Sequence, residues 1–254
     1  MRPTVLWFCV LAFATAALAQ LPDTLWLKKL GGTGNDFGYS VAEAADEGFV
    51  VAGHTSSFGI SDGDAYLVKL SPRGDTIWQS TFGGPGHQQV NRIRLCDDGG
   101  FVLAGWTRPV SPRNFWTARV DEFGDSLWAN TISGHNNDHA NDIIQLPSGD
   151  FITVGSTHTF GAGGGDFYVV RLSPEGDTVW TRTWGEDEPE EALAVTPTAD
   201  GCLAVAGWSR TETGPWRPTL VKFTLDGDTA WSRKYYVEGD GGFYDILDLG
   251  SDSG

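Results

Sequence analysis

Positive charge, cysteine and long apolar runs are what this sequence has least of. Its 254 residues hold 17 Lys and Arg against 33 Asp and Glu, a formal charge of −16. Nucleic acids and anionic membranes are recognised by clustered cations that neutralise phosphate, so neither is expected as a partner. Only Cys9, Cys96 and Cys202 are present, too few for a disulfide-built fold. The one apolar stretch of any length, Val5 to Leu18, falls short of the roughly 20 residues that a spanning helix needs. It follows Arg2 and leads into the small-x-small pattern Ala17-Leu18-Ala19, so residues 1–19 read as a signal peptide with a mature chain from Gln20. The protein is therefore expected to be secreted or held at the cell surface, and not to span the membrane once the leader is removed. No later segment sustains a helical apolar period. Signatures of a phosphate-binding loop, a helical zinc protease or a complete EF-hand loop are also missing.

Tryptophan and glycine are plentiful instead, at 11 and 34 copies. Trp26, Trp78, Trp128, Trp180 and Trp231 each close an Asp-Thr/Ser-x-Trp element, and they recur every 50 to 52 residues. From the second copy onward its aspartate is Asp75, Asp125, Asp177 and Asp228. Self-similarity at a fixed period marks an array of equivalent units. The units span about 24–75, 76–125, 126–177 and 178–228, with a partial fifth over 229–254.

Midway between tryptophans a turn leads into a β-rich run that ends on Gly53, Gly105, Gly155 or Gly207. Asp98-Gly99-Gly100-Phe101-Val102-Leu103-Ala104-Gly105 is the clearest copy, and Asp-Gly before such a run is a hairpin signal. A third run follows over Ala65 to Leu70, Phe115 to Val120, Phe167 to Leu172 and Thr219 to Phe223. A fourth precedes the Asp-Gly turn over Gly38 to Ala44, Val90 to Cys96, Ala140 to Leu146 and Ala192 to Pro197. Four short strands in each period of about 50 residues match one blade of a β-propeller, an all-β fold whose radial repetition leaves only short, protected sheet edges.

The units resemble the secreted bacterial β-propeller repeats whose consensus runs Gly-Asp-Thr-x-Trp, a Gly-Gly loop, Asp-Gly-Gly-Phe-x-x-Ala-Gly and Asp-x-Tyr-x-x-Lys-x. The likeness covers about Pro22 to Gly254 and is best at Phe101 to Gly105 and Gly176 to Trp180. It implies four-stranded antiparallel blades, four complete and a fifth begun, and assigns no activity. Three departures stand out: Cys202 in place of the Phe of the first three units, and Asn114 and Pro218 in place of Asp64 and Asp166.

The fifth unit runs to Asp252-Ser253-Gly254, which matches the turn Asp46-Glu47-Gly48 that elsewhere leads into a central strand. The ring is therefore expected to be incomplete, with further C-terminal units of the same gene product beyond. If each blade runs from an inner strand such as that near Tyr39 to an outer tryptophan strand, Thr24 to Leu30 is an outer strand without a blade of its own. Cys96 and Cys202 fall on separate blades and are expected as free buried thiols.

Features present in every unit read as packing. The tryptophans bury apolar area between blades, Asp75, Asp125, Asp177 and Asp228 accept hydrogen bonds from turn amides, and Gly53, Gly105, Gly155 and Gly207 permit a bulge or close backbone approach. Function is expected where units differ. After the strand glycine the chain carries His54, Trp106, Ser156 and Trp208; a tryptophan there could stack on a sugar, against the competing reading of packing under the next loop. Asp142 is the candidate carboxylate on an inner strand. His135, Asp138 and His139 form the one cluster of metal-ligand types, although their spacing suits a helix better than a loop. No cofactor is expected, calcium being the sole alternative through turn aspartates. Gly59-Ile60-Ser61-Asp62-Gly63 matches the nucleophile-elbow pattern in letters but lies between two strands, where that motif needs a strand and a helix. No catalytic residue is assigned. The expected function is an exported non-catalytic scaffold that binds a glycan or a protein; the alternative is a propeller-type polysaccharide hydrolase or lyase with carboxylates facing the channel.

Overall fold

The computed structural model describes residues 25–60, 63–210 and 213–247. The signal peptide, Cys9, Ser61-Asp62 of the elbow-like loop and Asp252-Ser253-Gly254 lie outside the described residues. Within them, sixteen strands form four antiparallel sheets, each a simple four-stranded meander. The first blade is β1 (Asp36–Glu43), β2 (Phe49–Thr55), β3 (Asp64–Leu70) and β4 (Thr76–Phe82). The second is β5 (His87–Leu95), β6 (Phe101–Arg108), β7 (Asn114–Val120) and β8 (Ser126–Ile132). The third is β9 (Asp138–Gln145), β10 (Phe151–Thr157), β11 (Asp166–Leu172) and β12 (Thr178–Trp184). The fourth is β13 (Glu190–Pro197), β14 (Leu203–Arg210), β15 (Trp216–Phe223) and β16 (Thr229–Lys234). The blade is thus offset from the sequence repeat: the tryptophan that opens a repeat lies on the outermost strand of the blade before it.

Burial follows from this stacking. Middle strands such as β10 and β11 are covered on both faces and read as nearly continuous apolar runs, whereas the outermost strands β4, β8 and β12 are largely exposed. Val90 and Ile93 of β5 pack against Ala52, Ala65 and Leu67 of the first blade, and Ala192 and Val195 of β13 against Val154, Phe167 and Val169 of the third. Phe101, Phe115, Phe151, Phe167 and Phe223 are fully buried, each stabilising the fold by about 1.5–3 kcal/mol. Val41, the first-blade counterpart of Ile93, is 60% exposed, because among the described residues no blade precedes it. The four sheets do not close, so the molecule is an open arc of a β-propeller.

The tryptophans do something more specific than fill the space between sheets. Trp78, Trp128 and Trp180 are half-buried and lie over the turn of the following blade, against Gly124, Gly176 and Gly227. Trp128 also donates from Nε1 to the Pro174 carbonyl at 3.0 Å. These glycines have φ between +83° and +89°, and a Cβ would strike the indole or its neighbour Arg182, so the Gly of Gly-Asp-Thr-x-Trp is required twice over. Trp26 uses the same socket on the first blade, over Gly74, with its Nε1 donating to Pro72 O at 3.1 Å. Leu30 follows it onto Tyr66, Val68 and Leu70. Residues 25–30 therefore lie as the outer strand of a blade that would precede the first, without a ladder of their own. Trp231, with no following blade among the described residues, is 40% exposed. At that end Gly241 N donates to Trp216 O, repeating the bonds from Gln88 to Gly63, Asp138 to Arg113 and Glu190 to Gly165, so the chain enters the place of a fifth innermost strand.

Three expectations change, the first being the departure at Pro218: Arg217 pairs with Ser209 as Asp64 pairs with Thr55 and Asp166 with Thr157, so Arg217 holds that place. The turn amides are accepted by the residue four positions before each expected aspartate: Ser71 takes Arg73 N and Asp75 N, and Asp121 takes Phe123 N and Asp125 N. Ser173 and Thr224 repeat this, while Asp75, Asp125, Asp177 and Asp228 turn their side chains to solvent, because the turn closes around the earlier side chain. The strand register also places Leu203, not Cys202, opposite the phenylalanines, since Leu203 pairs with Pro197 as Phe151 pairs with Gln145. The cysteines are free, Cys96 buried and Cys202 half-buried. A repeated ion pair unseen in the sequence ties β3-type strands to the preceding hairpin turn: Lys69 to Asp46, Arg119 to Asp98, Arg171 to Asp150 and Lys222 to Asp200. No helix among the described residues is long and apolar enough to cross a membrane.

Candidate functional site

The innermost strands β1, β5, β9 and β13 neighbour one another around the arc, and their equivalent positions can be read across from the ladders. Phe37, Gln89, His139 and Glu191 pair with His54, Trp106, Ser156 and Trp208. A bulge then leaves Tyr39, Asn91, Asn141 and Leu193 unpaired, before Ser40, Arg92, Asp142 and Ala194 resume the ladder. Gly53, Gly105, Gly155 and Gly207 make the bulge possible, because any Cβ there would collide with the carbonyl of Phe37, Gln89, His139 or Glu191. Close backbone approach and bulge, both expected for these glycines, occur together.

In the second and third blades these inner-strand positions are polar, and with Glu191 of the fourth they are bonded around the mouth of the arc. Asn91 donates to Ala140 O at 2.8 Å, and Asn141 to Ala192 O at 2.9 Å, each reaching the next blade. Gln89 donates to Asn91 Oδ1. His139 Nε2 lies 2.9 Å from Glu191 Oε1, and Asn141 donates to the same oxygen. Burial pushes the Glu191 carboxyl up, but the bonds from His139 and Asn141 and the His139 charge outweigh it and hold it below its usual range.

Deeper in the arc, Asp142 is fully buried and receives two guanidinium groups and two amides. Arg94 binds it through Nε at 3.0 Å and Nη2 at 2.8 Å, Arg92 lies at 3.2 Å, and the amides of Ile143 and Val195 donate at 2.9 and 3.0 Å. It joins the second, third and fourth blades, and its lone pairs are filled by the protein itself. Asp245, in the segment that enters the place of a fifth innermost strand, faces Arg92 at 3.6 Å.

The first blade differs. Phe37 and Tyr39 are 51% and 47% exposed, their rings 6.2 Å apart and within 9° of parallel. His54 stacks on both, at 5.0 and 5.8 Å. His87 lies 4.9 Å from His54 and stacks on Trp106, and the Arg113 guanidinium lies over the Trp106 ring, 4.2 Å from its centroid. Burial lowers the His54 and His87 pKa values, with His54, Arg108 and Arg113 lowering His87 further, so both imidazoles are neutral at pH 7.

Each candidate from the sequence can now be placed. Trp106 is 5% exposed between His87 and Arg113, so it offers no ring face to a sugar. Trp208 stacks on Trp216 at 4.3 Å. His54 backs Phe37 and Tyr39, which sequence reasoning passed over; the signal was two aromatics where the other units put mostly polar residues. His135, Asp138 and His139 do not converge. Asp138 is buried against Thr157, Thr159 and the His158 amide, His139 turns to Glu191, and His135 is exposed. Among the described residues no group of three His, Cys, Asp or Glu is placed to hold a metal. One carboxyl pair is close: a Cβ on Gly185 would meet an oxygen of both Asp166 and Glu190. Burial, against the Glu186 amide and Lys234, raises Glu190 to about 7, and raises Asp166 as well. Both are 1% exposed between the third and fourth blades, beyond reach of a substrate.

No protein-family model matches the chain, and no curated protein matches its sequence. Solved structures do. A neuraminidase-like protein of subtype N11 from A/flat-faced bat/Peru/033/2010 aligns at 12% identity over 75% of this chain and 50% of that one, with a TM-score of 0.46. An α-L-arabinofuranosidase from Clostridium thermocellum aligns at 11% over 77% and 72%, with a TM-score of 0.44. The WD40 domain of Neurospora crassa Pan2 aligns at 8% over 78% and 66%, with a TM-score of 0.42. The chain spans half the length of the neuraminidase-like protein. Likenesses of this degree say nothing about what this chain binds or does.

Proposed function

We propose that the protein is an exported, non-catalytic β-propeller scaffold that holds a glycan or protein partner at the mouth of its arc. The observation that carries this reading is the state of the inner-strand carboxylates. Asp142 is surrounded by Arg92, Arg94 and two amides, and Glu191 by His139 and Asn141. Glycoside hydrolysis needs two carboxyl groups across the scissile bond, one of them carrying a proton to give. The two carboxyl groups that burial raises, Glu190 and Asp166, are sealed between blades. Further units of the same repeat are proposed to cover the free faces at Val41 and Trp231, which supports a display or binding role within a larger ring. Export rests on the leader, and N-terminal sequencing of protein from the medium or cell surface should begin at Gln20.

The test is a reducing-end assay on a panel of polysaccharides, run beside a binding measurement. Binding without release of reducing ends is the expected result. Release of reducing ends by the parent protein would overturn the proposal in favour of a hydrolase or lyase.

A further inference from the structure

We infer that Phe37 and Tyr39 are a platform on which a pyranose ring of a neutral polysaccharide stacks. The inference rests on the scaffold reading above and assigns its ligand class and contact residues.

A missing neighbour accounts for part of the exposure of Phe37 but not for that of Tyr39. The first-blade positions that face the missing neighbour are those equivalent to Val90 and Ile93, namely Gly38 and Val41. Phe37 and Tyr39 occupy the other set. Their counterparts reach around the mouth to the following blade, as Asn91 does to Ala140 O, Asn141 to Ala192 O, and His139 to Glu191. A blade added before the first would reach the Phe37 position, as His139 and Asn141 reach Glu191, but no such contact falls on the counterparts of Tyr39, whose ring would stay at the mouth. At a position where the second and third blades carry an asparagine that bonds their neighbour, the first carries a half-exposed tyrosine. A half-exposed Tyr39 ring, beside Phe37, at a place where two of the other three blades carry an asparagine is unfavourable for the fold alone, which points to a ligand.

Ring geometry selects the class. Phe37 and Tyr39 are 9° from parallel at 6.2 Å, and His54 stacks on both. The column continues through His87, Trp106 and Arg113, which fixes the rings in orientation. A pre-set pair of aromatic faces suits the C–H face of a sugar ring, and pre-organisation lowers the entropic cost of binding. Parallel rings do not enclose a cation as a quaternary-ammonium cage does. Glu191 and the formal charge of −16 disfavour an acidic sugar. Amides and a carboxylate at Gln89, Asn91 and Glu191 occupy the equivalent positions further around the mouth, where hydroxyls on neighbouring sugars would meet them.

The experiment is affinity gel electrophoresis and calorimetry of the full chain against soluble xylan, β-glucan, mannan and arabinan. At least one should bind. Tyr39→Asn and Phe37→Gln rewrite the first blade with the residues the second blade already uses, so the fold is kept while the platform is removed. Each should weaken binding at least about tenfold with the melting midpoint held. Tyr39→Leu, which keeps bulk and apolarity without a ring face, should behave the same and covers the case in which an amide variant misfolds. If none of the polysaccharides binds, the inference is overturned. If one binds and the variants bind it as tightly as the parent, the platform falls while the scaffold reading survives; turnover would overturn that reading instead.

Discussion

Replacing Glu190 by Gln should make the protein more stable above neutral pH, although it removes a partner of Lys234. Three blade junctions carry an equivalent pair of side chains: Asp64 with Gln88, Asn114 with Asp138, and Asp166 with Glu190. The first two pair an acid with an amide; only the last has two acids. Both of its carboxyl groups are 1% exposed, and the Lys234 ammonium stands 3.4 Å from Glu190 Oε1. Burial is the main reason that Glu190 rises from 4.5 to about 7, with the Asp166 charge adding to it and Lys234 opposing it. A raised carboxyl pKa means that the folded state favours the proton. This contribution to stability is complete below about pH 4.5, declines as pH rises through the interval to about 7, and is gone above it. At about 1.4 kcal/mol per unit, the loss is on the order of 3 kcal/mol. Glutamine carries no proton to lose and has a precedent in Gln88. Urea unfolding followed by tryptophan fluorescence, at half-unit steps from pH 4.5 to 8.5, reports the difference between variant and parent, in which the other carboxylates cancel. That difference should rise by about 1–3 kcal/mol in favour of Glu190→Gln, with its inflection between pH 5 and 7. A flat difference across the range, or a variant that becomes the weaker protein as pH rises, would refute the reasoning.

Two further substitutions probe the stacking. Gly176→Ala places a Cβ 2.5 Å from the Trp128 ring at a φ of +89° and should cost about 3 kcal/mol, whereas Gly201→Ala, at +76° with nothing nearby, should cost roughly 1–2 kcal/mol; equal losses in urea titrations would deny the socket. Asp142→Ala leaves Arg92 and Arg94 facing each other in a buried site and should cost about 3–5 kcal/mol, so a loss below about 1 kcal/mol would mean the clamp is not a joint between blades.

Much of the architecture was legible in order along the chain, because a propeller blade is local. Its four strands are consecutive and joined by tight turns, so period, Asp-Gly hairpins and strand glycines report it directly. The bulge glycines illustrate this: Gly105 follows a β-rich run and is forbidden a side chain by the Gln89 carbonyl only one hairpin away. Ligand-site reasoning failed where one residue's meaning depended on another strand or another blade. Trp106 looks exposed from its place at a strand end, but His87 and Arg113 come from elsewhere to cover it. Asp142 looks like a free channel carboxylate until Arg92 and Arg94, about fifty residues earlier, close on it.

What the amino-acid order determined by itself was the repeat, the strand count per unit, the turn chemistry and the charge that disfavours phosphate-bearing partners. These follow from backbone preferences and hydrophobic spacing within some fifty residues. Only the tertiary structure decided which copies are buried and which stand in water. Gln89 and Asn91 bond to neighbours while Phe37 and Tyr39 remain exposed, and Trp128 is seated while Trp231 is not. The physical reason is that burial belongs to pairs of surfaces: a side chain's environment is set by the blade stacked against it, and no periodicity along one strand records what that neighbour brings.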